Sequence, residues 1–502
     1  MTGTVVRYQT RTLVPPAPEM PKRRRPRAKR VIGAITFVAA LGGATYLMAG
    51  EFQLSFDGRF TLAVFALAVW AWVFTKLDDT YVALAAGTVL ALAGVLAQDS
   101  LFSTLGDDTI WLLVAAFVIA SGVTQSGLAT RAAMWLVSSA RTVRGLVHIV
   151  TAALVVTAFA IPSTSGRAAL TLPVFVALAK VLSQPAHEGR HRRVVHVLAL
   201  VFPTVILLSA VGSLLGAGAH LVTSRVLVAA TGEGFDFAQW LILGLPLAVV
   251  SSHLASELIL RLFSAGSDRK QRIKFTVSDL QAVTPTRVTG ALSVQESRAA
   301  IILGSVVVLW CTQPVHHIPP AIVALLGALV TTSPKFGSVR LKKTLTQVPW
   351  SLLLFMAATL ALGEALISSG AASWLANGLF AQIGDASPKV FMLAVIVLST
   401  LSHLVIQSRS ARSAVLVPIV VALAASAGLS PAAAAFASTA AAGFCHTLPS
   451  SAKPVAMFSA VEDVQTYSPG DLLKLSAFLG PLMVGCVYLF SVYVWPVLGL
   501  AW

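Results

Sequence analysis

Two apolar segments of the chain repeat one another, and each carries an arginine behind a pair of serines. Residues 163–179 read STSGRAALTLPVFVALA and residues 408–424 read SRSARSAVLVPIVVALA, with nine of 17 aligned residues identical. Serine and threonine cap helix N-termini, where unpaired N–H groups and the helix dipole favour an anion. The planar guanidinium of arginine binds a carboxylate or a sulfate through two parallel hydrogen bonds. The pattern therefore predicts a site for an anion with two acidic ends, with Arg167 and Arg412 in equivalent positions.

These two helix starts supply the candidate substrate-binding residues. An arginine in the first turn opposes the helix dipole, so its presence there favours a bound anion. Two alternatives are open for each arginine: it can reach the membrane interface, or it can pair with a buried acid such as Glu364 or Glu257. Arg225 is assigned such a structural role, because it lies in the outer half of its helix. The candidates are Ser163, Thr164, Ser165, Arg167, Ser408, Arg409, Ser410 and Arg412.

The composition is that of a membrane protein. Of 502 residues, 56% are hydrophobic and 11% are charged, and the mean hydropathy is +0.82, whereas soluble domains carry about 25% charged residues. The three cysteines, Cys311, Cys445 and Cys486, lie in apolar runs without disulfide or metal-site spacing. No nucleotide-binding loop, metal-ligand cluster or nucleophile motif is present, so we expect neither an enzyme nor a resident cofactor.

Long apolar runs predict an all-α polytopic protein with about eleven transmembrane helices and two re-entrant hairpins. The hairpins are residues 146–183 and 388–428, each of which is broken in its middle by serine and arginine. Residues 31–49 are interpreted as a retained helix rather than a cleaved signal. The other expected crossings are residues 59–75, 80–97, 109–130, 197–228, 238–262, 298–313, 318–334, 350–375, 431–458 and 473–498.

The distribution of lysine and arginine predicts the orientation. With a cytoplasmic N-terminus, 29 of the 36 basic residues fall on the cytoplasmic side, which is where they accumulate in membrane proteins. The sequence thus predicts a multi-pass protein of the cytoplasmic (inner) membrane with its C-terminus outside. The basic tail at residues 1–30 favours anionic lipid over nucleic acid as its partner.

The order of the predicted elements repeats in the two halves of the chain. Residues 59–262 hold the first hairpin and residues 298–498 the second, and an odd number of crossings in each half inverts the second copy. Residues 263–297 form a polar cytoplasmic linker. Inverted repeats place the substrate site near the middle of the membrane, where interrupted helices meet.

Four further segments carry a resemblance to a known family. Residues 109–136 and 349–375 are similar to the helices that precede its hairpins, and residues 212–222 (GSLLGAGAHLV) and 446–458 (HTLPSSAKPVAMF) are similar to its two unwound helix breaks. The chain resembles the divalent anion/sodium symporter family of dicarboxylate, citrate and sulfate carriers. The resemblance implies an elevator-type carrier, a homodimer, and a helix-break region made of Gly216, Gly218, His220, Ser450, Ser451 and Lys453.

The chain departs from that family where the family binds sodium. The two repeated serine segments correspond to the hairpin tips of that family, and the asparagine that each family tip carries is absent here. His220 and Val455 stand where the helix breaks of the family have asparagine, and Lys453 stands where they have proline. Fixed cations repel a bound cation and attract an anion, so we expect sodium coupling to be absent or weak. The alternatives are a proton-coupled or exchange carrier, with His220, His403 and His446 as proton carriers, and a non-transporting anion sensor.

Overall fold

The protein is helical along the chain in a computed structural model that describes residues 27–50, 53–75, 77–183, 192–273, 279, 281–282, 290–383, 387–461, 464 and 466–502. Ten helices in these residues are long and apolar enough to cross a membrane, and no strand is found there, so the prediction of an all-α polytopic protein is confirmed. The α-helices are α1 Arg27–Ala49, α2 Phe56–Phe74, α3 Asp79–Leu92, α4 Gln98–Ser103, α5 Asp108–Ser126, α6 Leu128–Ser138, α7 Val143–Ala160, α8 Thr164–Leu182, α9 Arg192–Leu208, α10 Gly218–Thr231, α11 Phe237–Phe263, α12 Gly266–Lys270, α13 Val294–Cys311, α14 Gln313–His316, α15 Pro320–Thr332, α16 Leu341–Leu345, α17 Trp350–Ser368, α18 Ala371–Ile383, α19 Pro388–Leu401, α20 Arg409–Ser426, α21 Pro431–Ala441, α22 Lys453–Ser459 and α23 Pro469–Leu489, which continues as a π-helix over Phe490–Val494.

Two predicted crossings end earlier than the apolar pattern suggests, each at a glycine. The helix predicted over 109–130 stops at Ser126, and Gly127 has a positive φ of 78°. The helix predicted over 350–375 stops at Ser368, shortly before Gly370 with a φ of 74°. Because this left-handed conformation suits glycine, it ends each helix although hydrophobic residues continue beyond it.

The two segments predicted as hairpins are each a pair of helices with a break at the serines. Helices α7 and α8 flank residues 161–163, and α19 and α20 flank residues 402–408. Helix α7 has 18 residues and α8 has 19, or about 27–29 Å each. That length fits a full crossing and a re-entrant pair alike, so the re-entrant hairpins and the inverted repeat stay predictions.

The expected helix breaks lie between α9 and α10 and between α21 and α22. Residues 209–217 form two short 3-10 turns, and residues 442–452 are irregular with one further 3-10 turn. Helix α10 packs against α20, and α22 packs against α8. The helix after each break therefore contacts the helix pair from the other half of the chain.

Helix α9 lies at the centre of the molecule. The apolar segment Arg193–Gly212, which includes most of α9, is 94% buried, whereas the apolar segment of α13 is only 22% buried. Valine and leucine on all sides of α9 pack against α7, α8 and α11. A helix that is hydrophobic all round is buried by its neighbours, and α9 carries the first break at its C-terminal end.

Candidate anion-binding site

The serine tips cap two helices, as their sequence predicts. The Ser163 hydroxyl accepts from the Gly166 amide at 3.3 Å at the start of α8, and the Ser408 hydroxyl accepts from the Ala411 amide at 3.3 Å at the start of α20. A capping hydroxyl uses its oxygen and can donate its proton elsewhere, and that of Ser408 is hydrogen-bonded to the Asp79 carboxylate. Part of each tip residue remains accessible, namely Ser163, Thr164, Ser165, Ser408, Arg409 and Ser410.

Arg167 is fully buried and held by neutral acceptors. Its Nη2 donates to the Leu154 carbonyl and the Ser209 hydroxyl, both at 2.6 Å, and its Nη1 donates to the Ile206 carbonyl at 3.0 Å. Its Nε donates to the Thr157 hydroxyl at 3.0 Å. These bonds tie α8 to α7 and to the first break, and they leave few donors for a ligand.

Arg412 occupies the equivalent position in the second pair and is held much more loosely. Its Nη1 donates to the Phe444 carbonyl in the second break at 3.3 Å. Its Nε and Nη2 are buried and have no hydrogen-bond partner, and the next hydroxyl, that of Ser413, has none either. Buried donors are normally satisfied, so Arg412 offers the three N–H groups of Nε and Nη2, near the weakly accepting Cys445 sulfur, where Arg167 has used most of its own.

Arg409 links the second tip to both breaks. Its Nη1 donates to the Leu207 carbonyl at 3.3 Å, at the end of α9. Its Nη2 lies 3.3 Å from the position that a Cβ on Gly443 would occupy. The Nε has no partner. The guanidinium therefore lies where the second tip, the first break and the second break meet.

An added side chain at either of the two predicted glycines of the first break would make a close contact. A Cβ on Gly216 would lie 2.0 Å from the carbonyl oxygen of Ala210, and one on Gly218 would lie 3.2 Å from the Ser410 hydroxyl. The second contact places the tip of α20 against the first residue of α10. The buried His220 ring stacks on Trp240, with the ring centroids 4.9 Å apart. Its Nδ1 contacts the Ser213 carbonyl at 2.9 Å, and its Nε2 is unpartnered.

The second break holds the remaining predicted residues. Ser451 is buried, and its hydroxyl accepts from the Leu448 amide at 2.9 Å. Lys453 is exposed at the start of α22. His446 is fully buried and its Nε2 has no partner. The side chain of Ser450 lies outside the described residues. Both ring nitrogens of His403 are bonded, one to the Thr400 carbonyl and one to the Thr447 hydroxyl, each at 2.6 Å.

The acids considered as partners of the arginines lie elsewhere. Glu364 accepts from Ser100 at 3.3 Å, and Glu257 pairs with Arg144 at 3.0 Å. Arg225 forms an ion pair with Asp107. Arg167, Arg409 and Arg412 form no salt bridge with the described residues.

Sequence reasoning missed one acid near the site. The Asp79 carboxylate, at the start of α3, lies beside the Ser408 hydroxyl and interacts electrostatically with Lys453. Its sequence position is far from both break segments, and no local pattern marks it. In the described part of the chain, no group of three histidine, cysteine or acidic residues could hold a metal ion.

A match along most of the chain identifies the family. A family model for the sodium:sulfate symporter transmembrane region matches residues 29–501. The chain belongs to this family. Its members are membrane transporters rather than enzymes, which confirms the family resemblance and the expectation that this chain is not an enzyme.

Relatives of known or assigned role are distant. A sodium-dependent dicarboxylate transporter of Staphylococcus saprophyticus is 23% identical over 426 residues, covering 80% of this chain and 79% of its own length. The citrate/succinate antiporter of Escherichia coli is 22% identical over 332 residues, covering 63% and 64%. A membrane protein of Cupriavidus necator is 26% identical over 317 residues, which is 62% of this chain and 60% of that relative.

Solved transporters share the fold. The YdaH transporter of Alcanivorax borkumensis superposes with a TM-score of 0.52 at 15% identity, covering 94% of this chain and 99% of its own. MtrF of Neisseria gonorrhoeae, described as one of a class of antimetabolite efflux pumps, gives 0.56 at 12% identity, covering 91% and 97%. At these identities the likeness concerns the architecture alone.

Proposed function

We propose that the protein is a secondary transporter of a small divalent anion of the dicarboxylate, citrate or sulfate type. The observation that carries this proposal is the set of guanidinium groups where the tips and breaks meet, without a carboxylate partner in the described residues. Arg412 and Arg409 bind the anion with their free N–H groups, assisted by the hydroxyls of the two tips. Arg167 positions the first tip.

The charge of the site favours a divalent substrate. A buried charge without a counter-ion is costly, because removal from water is not repaid by a partner. Arg409 and Arg412, the two guanidinium groups with free donors, are neutralised by one dianion, whereas a monoanion leaves one of these two charges without a counter-ion. The dicarboxylate and the succinate named for the relatives carry two negative charges, whereas fully ionised citrate carries three.

The same charges argue against sodium as the coupling ion. A cation placed among Arg409, Arg412 and Arg167 meets unscreened repulsion, because the local dielectric is low. The Asp79 carboxylate has Lys453 as a cationic neighbour. We propose that the fixed arginines take the place of coupling cations. The helix pairs and breaks move together as the transport part of an elevator-type carrier, in a cytoplasmic membrane with the N-terminus inside.

The uncompensated charge also favours exchange over net uptake. An empty carrier has to move buried unpaired guanidinium groups through the membrane, whereas a loaded carrier moves a neutralised site. Return with a second anion is therefore easier than return without one. One relative is named as an antiporter, and the present charge arrangement supplies a physical reason for the same behaviour here.

Transport by purified protein in liposomes tests this proposal. Radiolabelled succinate, citrate and sulfate are supplied outside, with the same anion or none inside, in sodium or in choline medium at fixed pH. We expect uptake that requires internal anion and is equal in the two media. A tenfold or larger increase with sodium would contradict the coupling proposal, and uptake into empty liposomes at the same rate would contradict exchange. Absence of both transport and binding for all three anions would refute the function.

A further inference from the structure

A cluster of titratable side chains lies away from the anion site, between α7 and α11. The His148 and His253 rings are stacked with centroids 5.1 Å apart, and their Nδ1 atoms are 2.9 Å from one another. The Nε2 of His148 lies 3.3 Å from a carboxylate oxygen of Glu257. The same oxygen accepts from the Nε of Arg144 at 3.0 Å. None of these side chains belongs to the proposed anion site.

The hydrogen bonds determine how many protons this cluster holds. An N–H···N bond needs one proton and one lone pair, so one Nδ1 donates and the other accepts. Because a carboxylate only accepts, His148 carries a proton on Nε2. In the neutral pair, Nδ1 of His148 therefore accepts from the Nδ1–H of His253.

One added proton fits this geometry and a second does not. When His148 becomes an imidazolium, it donates to Glu257 through Nε2 and to His253 through Nδ1, and the His253 proton moves to its own Nε2. If both rings were charged, two N–H groups would face each other across 2.9 Å with no acceptor. Two stacked cations would also repel.

We propose that His148 and His253 form a one-proton site by which the pH on one side of the membrane controls the carrier. Arg144, next to the pair, has a side chain that is 59% exposed. One turn deeper, Thr151 and Ser256 are fully buried and bonded to each other at 2.7 Å. The proton therefore enters from the Arg144 end, which the charge distribution predicts to be cytoplasmic.

Other charged groups nearby are already engaged. Glu257 also lies 3.6 Å from Arg261 on its own helix. On the elements packed against α7 and α11, four charged contacts are Arg193 with Asp268, His196 with Asp471, Arg131 with Glu296, and Lys474 with the Leu262 carbonyl. The histidine pair differs from these contacts because its two rings share one proton between facing nitrogens.

Helix α7 connects the histidine pair to the first tip. A proton adds positive charge 3.3 Å from the Glu257 carboxylate, which strengthens the attachment of α7 to α11. The same helix provides the Thr157 hydroxyl and Leu154 carbonyl that hold Arg167. Protonation therefore restrains the helix that supports the first tip, and acidification from the Arg144 side should slow transport.

Residue-resolved hydrogen exchange at the imidazole C2 position, followed by mass spectrometry of the full-length protein across about pH 5–8, tests the proton count without any substrate. We expect the two rings together to gain one proton. Independent protonation of both rings, or of neither, would overturn the proposal. This result does not depend on whether the protein transports a dianion.

A second measurement tests the control of transport. His148→Gln keeps a donor for Glu257 and an acceptor for His253 but binds no proton. We expect its initial exchange rate to be flat with internal pH, whereas the wild-type rate falls by about tenfold on acidification, the factor for one bond of ~1.4 kcal/mol. His317→Gln should keep the wild-type profile. A His148→Gln protein with a normal size-exclusion profile and the wild-type pH dependence would show that the histidine pair does not control transport.

Discussion

The Nη1 of Arg409 donates to the backbone carbonyl of Leu207 at 3.3 Å, across the two halves of the chain. Arg409 begins α20, and Leu207 lies in the last turn of α9, just before the first break. The carbonyls at a helix C-terminus lack intrahelical donors and carry partial negative charge. The arginine therefore satisfies part of that helix end and still has donors for a ligand.

Replacement of Arg412 should weaken anion binding and leave the fold intact. Arg412→Gln removes the three N–H groups of Nε and Nη2 and gives up only one long bond to Phe444. We expect a loss of about 1.5–3 kcal/mol, or roughly ten- to a hundredfold in affinity for the best dianion. Arg412→Lys should also bind more weakly, because it keeps the charge and loses the planar fork.

Calorimetric titration of the purified variants checks this prediction, with size exclusion as the control for folding. Arg193→Gln is the matched control, because Arg193 is exposed and pairs with Asp268 away from the site. If Arg412→Gln folds and binds with wild-type affinity, Arg412 is not a ligand and the substrate is held by Arg409, the serines and the backbone amides.

Replacement of Arg167 should lower the stability of the fold more than it weakens anion binding. Arg167→Gln removes the arginine donor from the Ile206 carbonyl and from the Thr157 and Ser209 hydroxyls, whereas the Leu154 carbonyl keeps the Thr157 hydroxyl as a donor. Unsatisfied buried groups cost about 1–3 kcal/mol each, less what relaxation recovers. We expect a fall in melting temperature of several degrees and poorer expression. A variant with wild-type stability and a hundredfold weaker affinity would show that Arg167 is a ligand after all.

The contrast between these two arginines could not be predicted from the sequence. The repeated segments assign equal roles to Arg167 and Arg412, because nine of the 17 aligned residues are identical and two serines precede each arginine at the same spacing. Their acceptors come from elsewhere, from Thr157 on α7, Ser209 in the first break and Phe444 in the second. The serine caps were predictable because capping is local, whereas the satisfaction of an arginine depends on tertiary contacts. Asp79 was missed for the same reason.

The glycines of the first break should differ in their tolerance of a methyl group. Gly216→Ala places a Cβ 2.0 Å from the Ala210 carbonyl oxygen, which is backbone and moves only with the break. We expect severe destabilisation. Gly218→Ala places its Cβ 3.2 Å from the Ser410 hydroxyl, a side chain that can rotate, so the protein should fold and bind more weakly.

Thermal unfolding of both variants, with and without dianion, separates the two effects. Gly304→Ala on α13 is the control, because nothing lies within 4 Å of its added Cβ. A Gly216→Ala protein as stable as this control would mean that the break is not closely packed. Unchanged affinity in Gly218→Ala would mean that the second tip does not approach α10 when the anion is bound.

The acid beside the second tip should oppose anion binding. Asp79 lies next to the Ser408 hydroxyl, so its negative charge repels a dianion bound by that tip. Asp79→Asn removes the charge at nearly constant volume. Because Asp79 is partly exposed, the gain should be modest, about 0.2–1 kcal/mol or up to roughly fivefold in affinity.

Calorimetric titration at low and at high ionic strength tests whether the Asp79 charge opposes anion binding. The gain should shrink as salt increases, since screening weakens interactions between partly exposed charges. Asp78→Asn is the matched control: Asp78 is exposed and caps the Thr80 amide at 2.9 Å. A severalfold loss of affinity in Asp79→Asn, at unchanged stability, would instead place the carboxylate in the binding machinery, as a group that holds a proton or a cation together with the substrate.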